Sequence, residues 1–87
     1  MTGVYILQSS KNNSYYIGST NNINRRIVQH ENGLVKSTRN ILPVELKLFY
    51  KCDSLTQARQ LEYKIKKLKR KDLIESMISE QKIDIGS

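Results

Sequence analysis

A single cysteine, Cys52, leaves no partner for a disulfide and too few thiols for a cysteine zinc site. It fits a reducing compartment and reads as a small apolar filler. No apolar run is long enough to span a bilayer, because charge interrupts every candidate. The basic stretches lack the aromatic face that would lay them on a membrane surface. The N-terminus enters an apolar, strand-like run without a basic leader, so a cytoplasmic location is expected. There is no P-loop, no Rossmann glycine pattern, no paired-histidine zinc motif and no serine-nucleophile elbow. Internal repeats and low-complexity segments are also missing.

What is present fits one small domain. The chain has 87 residues, and its 38% hydrophobic content is too high for a disordered segment. Residues 1–80 are expected to form the domain and 81–87 a frayed tail. The net charge of +7 attracts polyanions and speeds their encounter. Solvated lysines give the same count, so charge alone does not name the partner.

Hydrophobic patterning orders the elements. Gly3 to Leu7 is an apolar run of β-formers, Ser9 to Ser14 a turn, and Tyr15 to Ser19 a second strand that closes a hairpin. Thr20, Asn21 and Asn22 offer caps for a helix from Ile23 to Asn32, with Gly33 as its stop. Leu34 to Leu42 reads as a polar, basic loop ending at Pro43. Glu45 to Tyr50 is a third strand. Ser54 and Gln57 form a capping-box pattern before a long helix whose stripe is Leu55, Ala58, Leu61, Ile65 and Leu68. A last helix from about Asp72 carries Leu73, Ile74, Met77 and Ile78. The class is α/β (α+β): a small three-stranded, mainly antiparallel sheet flanked by helices in the order β-β-α-β-α-α.

Several residues do not fit a plain core. Glu62 falls seven residues after Leu55 and three before Ile65, so it points along the apolar stripe. A carboxylate there is a candidate metal ligand or general base; a Glu at the stripe's edge, paired with a cation, produces the same pattern. Arg26 and His30 are i, i+4 neighbours flanking the helix's apolar face, where an Arg can bind phosphate and a His can hold it or relay a proton. A surface Arg and a helix-terminal His account for the same spacing. Tyr5 and Tyr16 can approach on one hairpin face, as phenols that orient water or act as bases, or simply as strand-favouring side chains. Lys36 and Arg39 are placed in a loop for backbone contacts. Lys64, Lys66, Lys67, Lys69, Arg70 and Lys71 either grip phosphates or form a solvated helix face.

Read together, these residues resemble the GIY-YIG nuclease superfamily. Gly3-Val4-Tyr5 is similar to the first signature, with Val for Ile, and Tyr16-Ile17-Gly18 matches the second. Arg26 followed four residues later by His30, and then Glu62, complete the order. Lys36-Ser37-Thr38 and the segment Glu62 to Lys69 look like the small stand-alone bacterial members, often described as excision-nuclease C-subunit-like domains, a link to DNA repair. The resemblance implies an endonuclease acting on DNA in preference to RNA. In it Tyr5 and Tyr16 orient or deprotonate the attacking water, Arg26 stabilises the pentacovalent phosphate with His30 assisting, and Glu62 holds one divalent metal, magnesium or manganese. It implies nucleic-acid contacts at Lys36, Ser37, Thr38, Arg39, Lys64 and Lys67. Gly18 would keep the backbone close where a side chain obstructs. The Asn that several members carry after the Glu has no counterpart, so that role is either vacant or filled by another residue, Lys64 or Lys67 being the candidates. The competing reading is a nucleic-acid-binding module that retains the fold without turnover.

Overall fold

The computed structural model describes residues 1–83. Its elements are β1 (Gly3–Ser9), β2 (Tyr15–Thr20), α1 (Ile23–Glu31), a short 3-10 turn (Arg39–Ile41), β3 (Val44–Lys51), α2 (Leu55–Leu68) and α3 (Lys71–Glu80). This is the α/β class and the β-β-α-β-α-α order expected from the sequence.

The three strands lie in the order β2-β1-β3, and β1 pairs antiparallel with both neighbours. A central strand covered on both faces explains why Gly3 to Leu7 reads as a continuous apolar run rather than an alternating one. Val4 and Ile6 face one way and join Ile17, Leu48, Ala58, Ile65 and Met77 under α2 and α3. Tyr5 and Leu7 face the other way and join Ile23 of α1, with Tyr16 and Ile27 packed alongside. The β1–β3 register shifts between Ile6 and Leu7, so Lys47 bulges out of the ladder.

Local chemistry sets the ends of the helices. Asn22 accepts from the Arg25 amide to cap α1, and Gly33 adopts φ +73° just beyond it. Ser54 accepts from the Gln57 amide at α2, while Gln57 returns its oxygen to the Asp53 amide, one residue before the cap. Leu68 departs from the expected stripe and is 39% exposed. It is the last residue of α2, and Lys69, at φ 51°, turns the chain away there.

The segment read as a polar loop is anchored rather than loose. It contains the 3-10 turn, buries Val35 and Thr38, and receives the Ser9 hydroxyl on the Ile41 carbonyl at 2.6 Å. In the expected tail, Gln81 donates to the Lys47 carbonyl at 3.0 Å and Ile83 packs against the core. Residues 84–87 of that tail lie outside the described residues.

Candidate active site

On the α1 face, four polar side chains form one hydrogen-bonded chain, three of them buried. Tyr5 is on the central strand and fully buried; its Oη lies 2.9 Å from Nε2 of His30. His30, also fully buried, sets its Nδ1 2.7 Å from Oγ1 of Thr38. Arg26, one helical turn before His30, donates from Nε to Tyr5 Oη at 3.2 Å and from a terminal nitrogen to Gln29 Oε1 at 3.1 Å. Burial pushes the Tyr5 phenol above its ordinary value, and the Arg26 hydrogen bond opposes that rise. Burial first, and then the Arg26 cation, lower the His30 imidazole to about 4, so it is neutral at pH 7.

Tyr16 sits beside this chain. Its ring centroid is 6.2 Å from that of Tyr5 and 5.1 Å from that of His30. The Arg26 guanidinium interacts with both phenols, Tyr5 more strongly. Tyr5, Tyr16, Arg26 and His30 are therefore brought together.

Glu62 approaches from the other face of the sheet, on α2. Its Oε1 accepts from the Ser19 hydroxyl at 2.6 Å, and its Oε2 is held by Lys66 Nζ at 2.6 Å. The two faces meet because β2 is an edge strand: Lys66 Nζ also lies 5.9 Å from the Tyr16 ring centroid, so one cation reaches both the carboxylate and the phenol. Among the described residues no group of three or more His, Cys, Asp or Glu converges, and Glu62 is the carboxylate at this edge of the sheet. That donor set fits magnesium or manganese, whose shells are completed by waters and substrate phosphate oxygens. It requires Lys66, half exposed on a flexible stem, to leave Oε2.

A shallow cleft of about 280 Å³ opens where the two faces meet, lined by Ser19, Arg25, Arg26, Gln29 and Arg59 among others. A larger one of about 620 Å³ runs from Tyr15 and Tyr16 to Lys66, Lys69, Arg70 and Lys71. Lys36, Ser37, Arg39, Lys64 and Lys67 are exposed. Lys64 and Lys67 make none of the hydrogen bonds around Glu62; Lys66 does, because of these three lysines it alone stands at i+4. Thr38 does not share the exposed surface of Lys36, Ser37 and Arg39: its side chain is fully buried on His30, which corrects its expected place on a nucleic-acid surface. Sequence reasoning also missed Ser19 and Arg59. The i, i+4 spacing would have found Lys66, whereas Ser19 and Thr38 left no signal because their partners are 43 and 8 residues away.

Comparison with known proteins agrees with the geometry. The family model described as GIY-YIG catalytic domain matches residues 1–75. A UPF0213 protein of Clostridium perfringens is 42% identical over 80 residues, covering 91% of this chain and 85% of that protein. A UPF0213 protein of Halobacterium salinarum is 38% identical over 71 residues, covering 80% and 91%. Another, of Bacillus cereus, is 42% identical over 74 residues, covering 84% and 76%. No solved structure matches the chain.

Proposed function

The chain belongs to the GIY-YIG family, a nuclease family, and from that membership we propose that it is a metal-dependent endonuclease hydrolysing phosphodiester bonds in DNA. The observation that carries the reading is the meeting of Arg26 and two phenols on one side of the β2 edge with Glu62 on the other. A passive binding surface has no use for a carboxylate within a field of cations.

Each residue has a role that its position supports. Arg26 is partly exposed and fixed by Tyr5 and Gln29, so it is preorganised to meet charge developing on a phosphate. Tyr16 is half-buried and borders the opening, where its phenol orients or deprotonates the attacking water. Tyr5 acts from beneath, with its oxygen held by His30 and Arg26. Glu62 is the ligand for a single magnesium or manganese ion, with Ser19 fixing its orientation. When bound, the metal supplies Lewis-acid polarisation of the phosphate and charge neutralisation at the leaving oxygen. The exposed Lys36, Arg39, Lys64 and Lys67 hold the flanking backbone. The cytoplasm suits a protein whose lone thiol is half-buried and pushed upward by burial.

The test is cleavage of labelled single-stranded, duplex and branched DNA by wild type and Glu62→Ala, with magnesium, with manganese and with chelator. Metal-dependent cutting by the wild type alone is expected. Equal cutting by Glu62→Ala refutes the site. No cutting by either, with binding that weakens steeply in salt, replaces the enzyme by a non-catalytic nucleic-acid module.

A further inference from the structure

The groove of about 620 Å³ beside the site has walls of two kinds. Its floor is apolar: the rings of Tyr15 and Tyr16, with Ile17 and Ile65 buried beneath. Its rim is cationic, formed by Lys66, Lys69, Arg70 and Lys71 where α2 ends and α3 begins. Among the described residues no carboxylate lines it. The acids nearby are placed elsewhere. Glu62 is held by Ser19 and Lys66, and Asp72 pairs with Arg70 at 2.7 Å. Burial, and then Glu75 close by, push the Tyr15 phenol above its ordinary value, so that ring stays uncharged. Lys69 and Lys71 are exposed and make no ion pair among the described residues.

The edge strand sets two rings along this groove. Tyr15 and Tyr16 are consecutive on β2, so they point to opposite faces of the sheet, Tyr15 toward the α2–α3 cluster and Tyr16 toward the α1 cluster. Both still border the groove, because no strand lies beyond β2. Each ring has a lysine near its face: Lys71 Nζ is 5.9 Å from the Tyr15 centroid, and Lys66 Nζ is 5.9 Å from that of Tyr16. That is the outer limit of a cation–π contact, so the exposed Lys71 can exchange the ring for a phosphate. A ring beside a cation, repeated along one groove, fits an unpaired nucleotide chain, whose bases stack on rings while its phosphates meet cations. A duplex keeps its base faces inside and leaves an apolar floor unused. The volume is in the range of small-molecule sites, room for about one nucleotide with its flanking phosphates.

We propose that this groove is a subsite for unpaired nucleotides next to the scissile phosphate, with Tyr15 as the stacking platform for a base and Lys69 and Lys71 holding the adjoining phosphates. Tyr16 and Lys66 belong both to the groove and to the group around Arg26 and Glu62, so a strand in the groove leads into the site. Substrates with unpaired bases beside the cut are then preferred to continuous duplex. The place beside a scissile phosphate rests on the nuclease reading; the binding itself does not.

The test is equilibrium binding of the full chain to a short DNA single strand carrying a fluorescent adenine analogue, and to its duplex, in chelator so that nothing is cut. The wild type is expected to bind the single strand about tenfold more tightly and to change the analogue's emission as the base stacks. Tyr15→Phe keeps both properties. Tyr15→Leu should weaken single-strand binding about tenfold, the size of one lost stack, and leave duplex binding nearly unchanged. Equal affinity of the wild type for the two forms overturns the proposal. So does a folded Tyr15→Leu that binds the single strand like the wild type, or that loses both forms alike. If Tyr15→Leu fails to fold, the double variant Lys69→Gln, Lys71→Gln decides, because it changes only exposed side chains. It should reduce the single-strand slope of log K against log salt by about 1.4, the share of two phosphates. An unchanged slope overturns the proposal. Single-strand binding that meets these expectations in a chain that cuts nothing once metal is added refutes the nuclease reading and leaves the subsite intact.

Discussion

Gly18 stands directly opposite Tyr5 across the β1–β2 ladder, and the Tyr5 ring occupies the space a side chain at residue 18 would need. A Cβ there would lie 2.5 Å from both Cζ and Oη of Tyr5. The glycine of one signature thus makes room for the tyrosine of the other, and the two triplets are one packing unit. Gly18→Ala should force the Tyr5 ring off His30 and destabilise the protein by about 1–3 kcal/mol, as overpacking does. Urea unfolding should show a lower midpoint at unchanged slope. A midpoint equal to wild type would mean that the ring has room to move and that the pairing is incidental.

The second prediction concerns pH. The unfolded chain takes up a proton on His30 near its ordinary value of 6.5, whereas the folded chain resists until about 4. Between those values the unfolded state binds more protons, so stability falls as pH falls. The contribution is complete above the unfolded value, declines through the window, and levels off below the folded one. Its size is on the order of 3 kcal/mol, a large share of a small domain's stability. Urea midpoints taken from pH 7 down to pH 5, above the carboxylate range, should fall for wild type and much less for His30→Asn. Parallel slopes in the two proteins would show that the imidazole is not held neutral.

Lys66 holds the carboxylate that the proposed function assigns to a metal, so the two would compete for Glu62. Its Nζ is 2.6 Å from Oε2, and its side chain is 50% exposed, so the ion pair itself contributes little to stability. Removing the cation leaves the carboxylate free and removes a like charge from the metal's neighbourhood. Lys66→Met should therefore bind manganese about fivefold more tightly, roughly 1 kcal/mol, with the unfolding midpoint nearly unchanged. Calorimetric titration reads this directly, and Glu62→Ala should abolish the heat. Weaker binding by Lys66→Met would mean that Lys66 orients the carboxylate instead of blocking it.

Much of this architecture was legible because its signals are local. The hairpin, the Asn22 and Ser54 caps and the Ala58–Ile65 stripe depend on neighbours a few residues apart, and the structure reproduces them. Glu62 and Arg26 stand out by their places along an apolar stripe, whereas Tyr5 and Tyr16 are ordinary strand residues that only the GIY-YIG resemblance singles out. Thr38 does not stand out, since a threonine between Lys36 and Arg39 looks like one more polar loop residue. Its burial depends on the loop folding back over α1, which no short-range pattern encodes. Leu68 failed for the opposite reason: helical periodicity continues to the end of α2, although Leu68 there is exposed where the chain turns at Lys69.

Arg59 separates grip from chemistry. It lines the cleft that contains Arg26 and Ser19, yet it is exposed and makes no side-chain hydrogen bond among the described residues, whereas Arg26 is fixed on Tyr5 and Gln29. A free guanidinium at the rim holds a phosphate through counterion release, and a fixed one meets charge that develops during reaction. Arg59→Ala should weaken DNA binding and reduce the slope of log K against log salt by about 1. Its single-turnover rate at saturating DNA should stay close to wild type. Arg26→Ala should do the reverse, losing on the order of 10²-fold in rate with a smaller change in affinity. Fluorescence anisotropy between about 50 and 200 mM salt and single-turnover cleavage give the two quantities separately. An unchanged salt slope for Arg59→Ala would take the backbone's path away from this cleft and toward the exposed Lys36 and Arg39 of the segment that follows α1.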